Sequence, residues 1–184
     1  MYRIMLVDDE ENILNALRRV LANDNGRESE TYKLTVETFS VPQEALKRAE
    51  DVAFDLVISD FRMPLMNGVE FLKALRKVQP NAARIILSGY ADLDGLVGAI
   101  NEAQIFRFIS KPWNDFDLKS AIAQALAYRG LLLENQRLAD QVRVQRGQLS
   151  KQEIALKRLE EENPGITKVN WGPDGSVIID EEEF

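Results

Sequence analysis

The sequence of 184 residues contains no cysteine and no histidine. Without cysteine the chain can form no disulfide, no thiolate nucleophile and no cysteine-ligated zinc site, which suits a reducing compartment. Without histidine, a Ser-His-Asp triad, a histidine metal site and a phosphohistidine carrier are excluded. Catalytic chemistry must therefore use carboxylates, hydroxyls, lysine, arginine, the backbone and a hard metal ion.

The chain also lacks long apolar runs and an excess of basic residues. No stretch approaches the ~20 apolar residues of a membrane span. The apolar start Met1–Val7 is too short for a signal peptide and has no small-residue cleavage site. The net charge of −7 argues against general nucleic-acid binding, which needs a basic surface. We therefore expect a cytoplasmic protein with no membrane partner, and nucleic acid is an unlikely partner.

Short apolar runs alternate with amphipathic stretches along the first two thirds of the chain. The runs predict five strands, at Tyr2–Val7, Lys33–Phe39, Phe54–Ser59, Ala83–Ser88 and Phe106–Ser110. Helical periodicity predicts helices over Asn12–Leu21, Pro42–Glu50, Gly68–Val78 and Leu93–Ala103, and polar Asn23–Tyr32 predicts a loop. Strands that are apolar on both faces and alternate with helices predict an α/β fold, a doubly wound five-stranded parallel sheet.

The final predicted helix is much longer than the others, because no proline occurs between about Phe116 and Asn163. Its second part repeats every seven residues, which predicts a two-stranded coiled coil and hence a homodimer. The two seam positions hold Asn135, Val142, Leu149, Leu156 and Asn163, and Leu131, Leu138, Gln145, Gln152 and Leu159. Asn135 favours a parallel pair in fixed register, whereas the seam glutamines and Gly147 weaken it. The alternative is a long helix packed on its own domain.

A short tail follows the predicted helix, which Pro164-Gly165 ends. Ile166–Trp171 and Ser176–Asp180 are strand-like, and the turn residues Gly172–Gly175 between them predict a β-hairpin. A lone hairpin is marginal in water, so this one either packs on something or is disordered. The chain thus divides into a domain at 1–125, a coiled-coil extension of the last helix at 126–163 and a tail at 164–184.

Polar residues stand where the predicted strands end, which is where doubly wound folds bind ligands. Asp8 and Asp9 follow the first strand, Asp60 the third, Ser88 ends the fourth and Lys111 follows the fifth. Clustered carboxylates need a hard cation, and oxygen-only ligands suit Mg²⁺ or Mn²⁺. Asp60 can attack phosphorus, while Lys111 and Ser88 can bind phosphoryl oxygens. Each residue alone also has a plain interpretation, such as a helix cap for Asp9 or a turn at Ser88.

Four motifs together resemble the receiver domain of two-component response regulators, over about residues 1–125. They are Asp8-Asp9, the segment Asp60–Gly68 with Pro64 four residues after Asp60, Ser88-Gly89-Tyr90-Ala91-Asp92, and Phe108–Trp113 with Lys111-Pro112. The resemblance implies a flavodoxin-like receiver with strand order 2-1-3-4-5. It also implies that Asp60 accepts a phosphoryl group from a sensor histidine kinase.

The same resemblance implies roles for the other site residues. Mg²⁺ is expected on Asp9, Asp60 and the backbone carbonyl of Arg62, with Asp8 helping through water. Ser88 and Lys111 are expected to bind the phosphoryl group. Phe108 is expected to be the switch aromatic in place of the commoner tyrosine, where it keeps the packing and loses a hydroxyl.

The sequence therefore favours a response regulator that is not an enzyme beyond catalysing its own phosphorylation and dephosphorylation. Phosphorylation is expected to switch the dimeric coiled coil and the binding of an unknown output protein. The alternatives are a DNA-binding transcriptional regulator, or a regulator of a separate output enzyme, acting through the C-terminal extension.

Overall fold

A computed structural model describes residues 1–22, 34–89, 102–145 and 151–164. The strands are β1 (Tyr2–Val7), β2 (Leu34–Phe39), β3 (Leu56–Asp60), β4 (Ala83–Ser88) and β5 (Arg107–Ser110). The helices are α1 (Glu11–Ala22), α2 (Pro42–Asp51), α3 (Gly68–Val78), α4 (Asp115–Gln145) and α5 (Lys151–Glu162). The strands form one parallel sheet in the order β2-β1-β3-β4-β5, so the predicted doubly wound sheet is confirmed.

The observed elements differ from the predicted ones mainly at their ends. β3 begins at Leu56 instead of Phe54 and includes Asp60 as its last residue, while α3 has the predicted bounds. The predicted loop at 23–32, the predicted helix at 93–103 except for its last two residues, and the predicted hairpin in the tail lie outside the described residues.

The core has two layers, one on each side of the sheet. Successive residues of β1 alternate between them, because strand side chains point to opposite faces. Ile4 and Leu6 pack in the layer formed with α1 and α4, and Met5 and Val7 pack in the layer formed with α2 and α3. Since β1, β3 and β4 are buried on both faces, polar groups can collect only at the ends of these strands.

Asparagine side chains cap the N-termini of two helices. The Glu70 N–H donates to Asn67 Oδ1 at 2.9 Å and the Asn67 N–H donates to Glu70 Oε2 at 3.2 Å, which forms a capping box at the start of α3. At the start of α4, the Phe116 N–H donates to Asn114 Oδ1 at 2.8 Å. Each cap contributes about 1 kcal/mol, and the first one sets where the chain after Asp60 enters its helix.

The long helix α4 runs past the sheet and is anchored at the amino ends of the strands. Arg129 Nη1 lies 2.8 Å from Asp55 Oδ1, and Asp55 Oδ2 accepts a hydrogen bond from the Arg3 N–H at 2.6 Å. At 31 residues α4 confirms the prediction of a long C-terminal helix. Neither it nor any other helix among the described residues is both long and apolar enough to cross a membrane.

The helix α5 lies beside α4, which corrects the prediction of one uninterrupted helix from Phe116 to Asn163. Lys157 Nζ lies 3.1 Å from Asp140 Oδ2, although the two residues are 17 positions apart. In a continuous helix that separation would be about 25 Å along the axis. Gly147, a weak helix former, stands in the sequence between the two helices. The predicted extension of the last helix over 126–163 is therefore two helices.

The heptad seam of α4 remains exposed in this arrangement. Leu131, Leu138 and Val142 are 66%, 46% and 44% exposed. Asp140, which contacts α5, falls on the opposite side of the helix from this seam at 3.6 residues per turn. The fold-back of α5 thus leaves the α4 seam open, and the coiled coil itself stays a prediction.

Candidate functional site

Four of the predicted site residues meet at the carboxyl edge of the sheet. Asp8 follows β1, Asp60 ends β3, Ser88 ends β4 and Lys111 follows β5. Lys111 Nζ lies 2.7 Å from Asp8 Oδ2 and 2.5 Å from Asp60 Oδ1. One cation therefore bridges two carboxylates that come from neighbouring strands.

Backbone hydrogen bonds beyond the strand ends hold these residues in place. The Lys111 N–H donates to the Ser88 carbonyl at 2.6 Å, which keeps the segment after β5 beside β4. The Phe61 N–H donates to the Leu87 carbonyl at 2.8 Å, which extends the pairing of β3 with β4 past Asp60. The side chains of Asp60 and Lys111 therefore project from backbone that is hydrogen-bonded to β4 or its last residues.

Each bridged carboxylate has its second oxygen on a backbone N–H. Asp60 Oδ2 accepts from the Arg62 N–H at 2.9 Å, and Asp8 Oδ1 accepts from the Glu10 N–H at 2.9 Å. Asp8 and Asp60 are only 1% and 6% exposed. Both carboxylates are thus oriented by one lysine and one main-chain donor each.

Burial and the close charges set the protonation of this cluster. Burial raises the pKa of Asp8, although hydrogen bonds from Lys111 and the Glu10 N–H and the charge of Lys111 counteract it. The charge of Asp60 raises the pKa of Asp8 further. Burial opposes the charge on Lys111, but its hydrogen bonds to Asp60 and Asp8 outweigh this and raise the pKa of Lys111. The lysine is therefore a permanent cation at neutral pH.

Ser88 and Phe108 lie beside this cluster on β4 and β5. Ser88 is 1% exposed, and its Oγ donates to the Gly89 carbonyl at 3.0 Å. Phe108 pairs with Ile86 of β4 and packs, half-buried, against the core layer of α2 and α3. The phosphoryl-binding role of Ser88 and the switching role of Phe108 stay predictions. Tyr90 lies outside the described residues.

The chemistry of the donor set fits a hard divalent cation. Asp8, Asp9 and Asp60 carry three negative charges against the one positive charge of Lys111, and all their donor atoms are oxygens. Asp9 is exposed, and among the described residues no three acidic side chains lie close enough to hold a metal ion as they stand. The Arg62 N–H donates a hydrogen bond to Asp60, and the binding of Mg²⁺ by the Arg62 carbonyl stays a prediction.

Gly68 is a functional position that the sequence shows only as part of a motif. A Cβ added there would lie 1.9 Å from the Asp60 carbonyl oxygen and 3.1 Å from Ser59 Oγ. The Gly68 N–H donates to the Phe61 carbonyl at 2.9 Å, so α3 begins directly against the strand end that carries Asp60. The glycine allows this close approach of two backbone segments. Its signal in the sequence is its place as the last residue of the Asp60–Gly68 motif.

An Asp8→Asn variant is expected to be more stable than the parent at neutral pH in the presence of a chelator. The folded protein holds the Asp8 proton to higher pH than the unfolded chain. This contribution to stability is complete below 3.8, the ordinary pKa of an aspartate, and is lost as pH rises through the raised pKa. Asparagine does not ionise, so the variant does not lose this stability as pH rises. Urea unfolding at several pH values measures it, and the difference between variant and parent should vanish at low pH.

Asp9→Asn is the matched control for this experiment. Asp9 is the exposed neighbour of Asp8, and its replacement is expected to change the unfolding free energy by less than about 0.5 kcal/mol. A lower stability of Asp8→Asn at neutral pH would mean that pairing with Lys111 outweighs the burial of the Asp8 carboxylate.

A family model supplies the decisive comparison. The model of the response regulator receiver domain matches residues 4–123. The chain belongs to the receiver-domain family of two-component response regulators. The matched residues contain β2 to β5, all of β1 except Tyr2 and Arg3, and every site residue discussed above.

Individual relatives agree with this assignment. The chain is 36% identical to the hydrogenase transcriptional regulatory protein HoxA of Cupriavidus necator over 135 residues, which cover 73% of this chain and 26% of that protein. It is 32% identical to the DNA-binding transcriptional regulator NtrC of Escherichia coli over 120 residues, 65% of this chain and 23% of that protein. The signal receiver domain of an HD domain-containing protein from Pseudomonas fluorescens Pf-5 superposes with a TM-score of 0.63 at 34% identity, covering 70% of this chain and 97% of that domain.

The chain spans about a quarter of the length of the two curated relatives. Both are named as transcriptional regulators, and one is named as DNA-binding. These relatives count against the expectation that nucleic acid is an unlikely partner, which rested on the negative net charge and on the lack of a basic region in the C-terminal part of the sequence.

Proposed function

We propose that this receiver accepts a phosphoryl group on Asp60 from the phosphohistidine of a sensor histidine kinase. The observation that carries the proposal is the contact of Lys111 Nζ with both Asp60 and Asp8 at the carboxyl edge of the sheet. The lysine is in position to bind an oxygen of a phosphoryl group on Asp60, as a point charge does in phosphate sites. Among the five strands of the described residues, β3 alone ends on a carboxylate, the buried Asp60.

The chemistry is a nucleophilic displacement at phosphorus. An oxygen of Asp60 attacks the phosphorus atom, the bond from phosphorus to the histidine nitrogen breaks, and an acyl phosphate forms on Asp60. Lys111 and Ser88 stabilise the negative charge on the phosphoryl oxygens. A Mg²⁺ or Mn²⁺ ion held by Asp8, Asp9, Asp60 and the Arg62 carbonyl would neutralise charge between the carboxylates and the phosphoryl group.

The test is phosphorylation of the full chain by acetyl phosphate, followed by intact mass spectrometry. We expect a single phosphoryl adduct that forms with Mg²⁺, is suppressed by excess chelator, and is removed by hydroxylamine, which cleaves acyl phosphates. An adduct that resists hydroxylamine, or the absence of any adduct on folded protein, would contradict the proposal.

We further propose that phosphorylation acts in the cytoplasm by changing a homodimer formed through α4 and its binding of an output protein. β5 connects the site around Asp60 with α4. The strand carries Phe108, and Phe106, the residue just before the strand, packs against Tyr128 of α4 with ring centroids 5.3 Å apart. Tyr128 precedes the exposed seam of Leu131, Leu138 and Val142 on the same helix face. A shift of β5 therefore reaches the seam through one aromatic contact.

A Leu131→Glu variant is expected to weaken this homodimer. Leu131 is 66% exposed in the single chain, and a glutamate there places a charge in an apolar seam. A cost of about 2 kcal/mol corresponds to roughly 30-fold weaker association. Sedimentation equilibrium with and without acetyl phosphate measures the change.

The matched control is Leu133→Glu, the same substitution on the opposite face of α4. It should leave the association constant unchanged. Equal weakening of the homodimer by the two variants would contradict a dimer formed through the α4 seam. So would a parent chain that is monomeric with and without acetyl phosphate.

The second candidate function is transcriptional regulation by DNA binding, which the names of the relatives favour. Gel-shift assays at several salt concentrations test it, because DNA binding through phosphate contacts falls steeply with salt. A shift that persists at physiological salt would support this function, and no shift at low salt would exclude it for this chain.

A further inference from the structure

A large cleft lies at the end of the molecule opposite Asp60. It has a volume of about 1160 Å³ and lies between the amino ends of β1 and β3, the end of α3 and the helices α4 and α5. Pockets for drug-sized ligands are typically about 300–1,000 Å³. The cleft is therefore large enough for a segment of polypeptide.

The walls of the cleft carry apolar side chains that the described residues leave uncovered. Met1, Val78 and Leu156 line it and are 79%, 37% and 56% exposed. Leu133 of α4 and Ile154 of α5 line it as half-buried residues. Apolar side chains gathered on three elements around one cleft mark a surface that something covers.

The cleft also contains a buried donor that has no acceptor among the described residues. Arg129 holds Asp55 through Nη1, but its Nε is buried and makes no hydrogen bond within that part of the chain. Buried donors of this kind nearly always have a partner. The Arg129 side chain at the cleft wall therefore keeps hydrogen-bonding capacity that the described residues do not fill.

The chain itself leads into this cleft. Pro164, the last described residue, lines it, and residues 165–184 follow. The sequence of this tail contains two apolar strand-like segments, Ile166–Trp171 and Ser176–Asp180, and a lone two-stranded hairpin is marginal in water. We propose that the tail segment 166–180 of the same chain docks in the cleft.

The attachment point favours the tail of the same chain over other occupants. Only Gly165 separates Pro164 from the first apolar tail residue. A short tether gives an effective concentration in the mM range, which a second copy or a separate protein does not reach at ordinary concentrations. The docked tail would join α5 to the receiver. This proposal does not depend on phosphorylation of Asp60.

Trp171 reports on the tail, because the chain has only one other tryptophan, Trp113. In a Trp113→Phe background we expect Trp171 to be protected from acrylamide quenching. Adding Leu133→Glu, which places a charge in the cleft wall, should raise the quenching constant several-fold. Leu131→Glu makes the same change on the opposite face of α4 and should leave the quenching constant unchanged.

Two results would overturn the proposal. One is a Trp171 that is as accessible before the Leu133→Glu change as after it. The other is protection that disappears on dilution, which would assign the tail to the cleft of a second copy. Should Trp113→Phe disturb the fold by circular dichroism, ¹⁹F spectra of fluorotryptophan-labelled wild-type protein give the same comparison, with Trp171→Phe identifying the resonance.

Discussion

Phosphoryl incorporation is expected to fall to background in an Asp60→Asn variant. The asparagine amide has no nucleophilic carboxylate oxygen. The side chain has the same size as aspartate and can still accept the hydrogen bond from the Arg62 N–H. The variant should also fold, because the change removes one of two carboxylates that share Lys111. Intact mass spectrometry after incubation with acetyl phosphate and Mg²⁺ measures the loss.

The control for this experiment is Asp51→Asn, which alters an exposed aspartate at the end of α2 and should be phosphorylated like the parent. Adduct formation at the parental level in Asp60→Asn would assign the phosphoryl group to another residue. Peptide mapping of the adduct would then identify that residue.

A Gly68→Ala variant is expected to lose a large part of the stability of the receiver. The new methyl group would lie 1.9 Å from the Asp60 carbonyl oxygen, and a backbone atom cannot rotate away as a side chain can. Overpacking of this kind costs about 3 kcal/mol or more, which lowers the melting temperature by on the order of 10 °C in a chain of this size. Thermal unfolding by circular dichroism measures the shift.

The chain offers a matched control in Gly130, which lies within α4 with nothing within 4 Å of an added Cβ. Gly130→Ala should stabilise the protein by up to about 1 kcal/mol, because alanine is the better helix former. The two alanine substitutions should therefore have opposite signs. A stable Gly68→Ala protein that is still phosphorylated at the parental rate would show that the backbone at Asp60 can move aside at little cost.

Leu131→Glu and Leu133→Glu together separate the two proposals about α4. The first tests the seam and should change association without changing the exposure of Trp171. The second tests the cleft and should do the reverse. Failure of one proposal is therefore visible independently of the other.

The fold, and the edge of the sheet where the candidate site lies, follow from the sequence. The period of its apolar residues distinguishes strands that are buried on both faces, such as Leu56–Ile58, from helices with one apolar stripe, such as Gly68–Val78. Parallel strands end at one edge, so the residues after them must meet there. Asp8, Asp60, Ser88 and Lys111 were predicted for this reason, and the structure places all four at that edge.

The atoms that meet at the site and the direction of the C-terminal helices do not follow from local sequence and are seen in the three-dimensional structure. Three contacts join residues whose local sequences carry no sign of the partner. Lys111 bridges Asp8 and Asp60, Gly68 approaches the Asp60 backbone, and Arg129 pairs with Asp55. The region after Gln145 has helical sequence whether α5 continues from α4 or folds back. The contact of Lys157 with Asp140 shows that it folds back, because helix propensity is local whereas the direction of a helix depends on distant contacts.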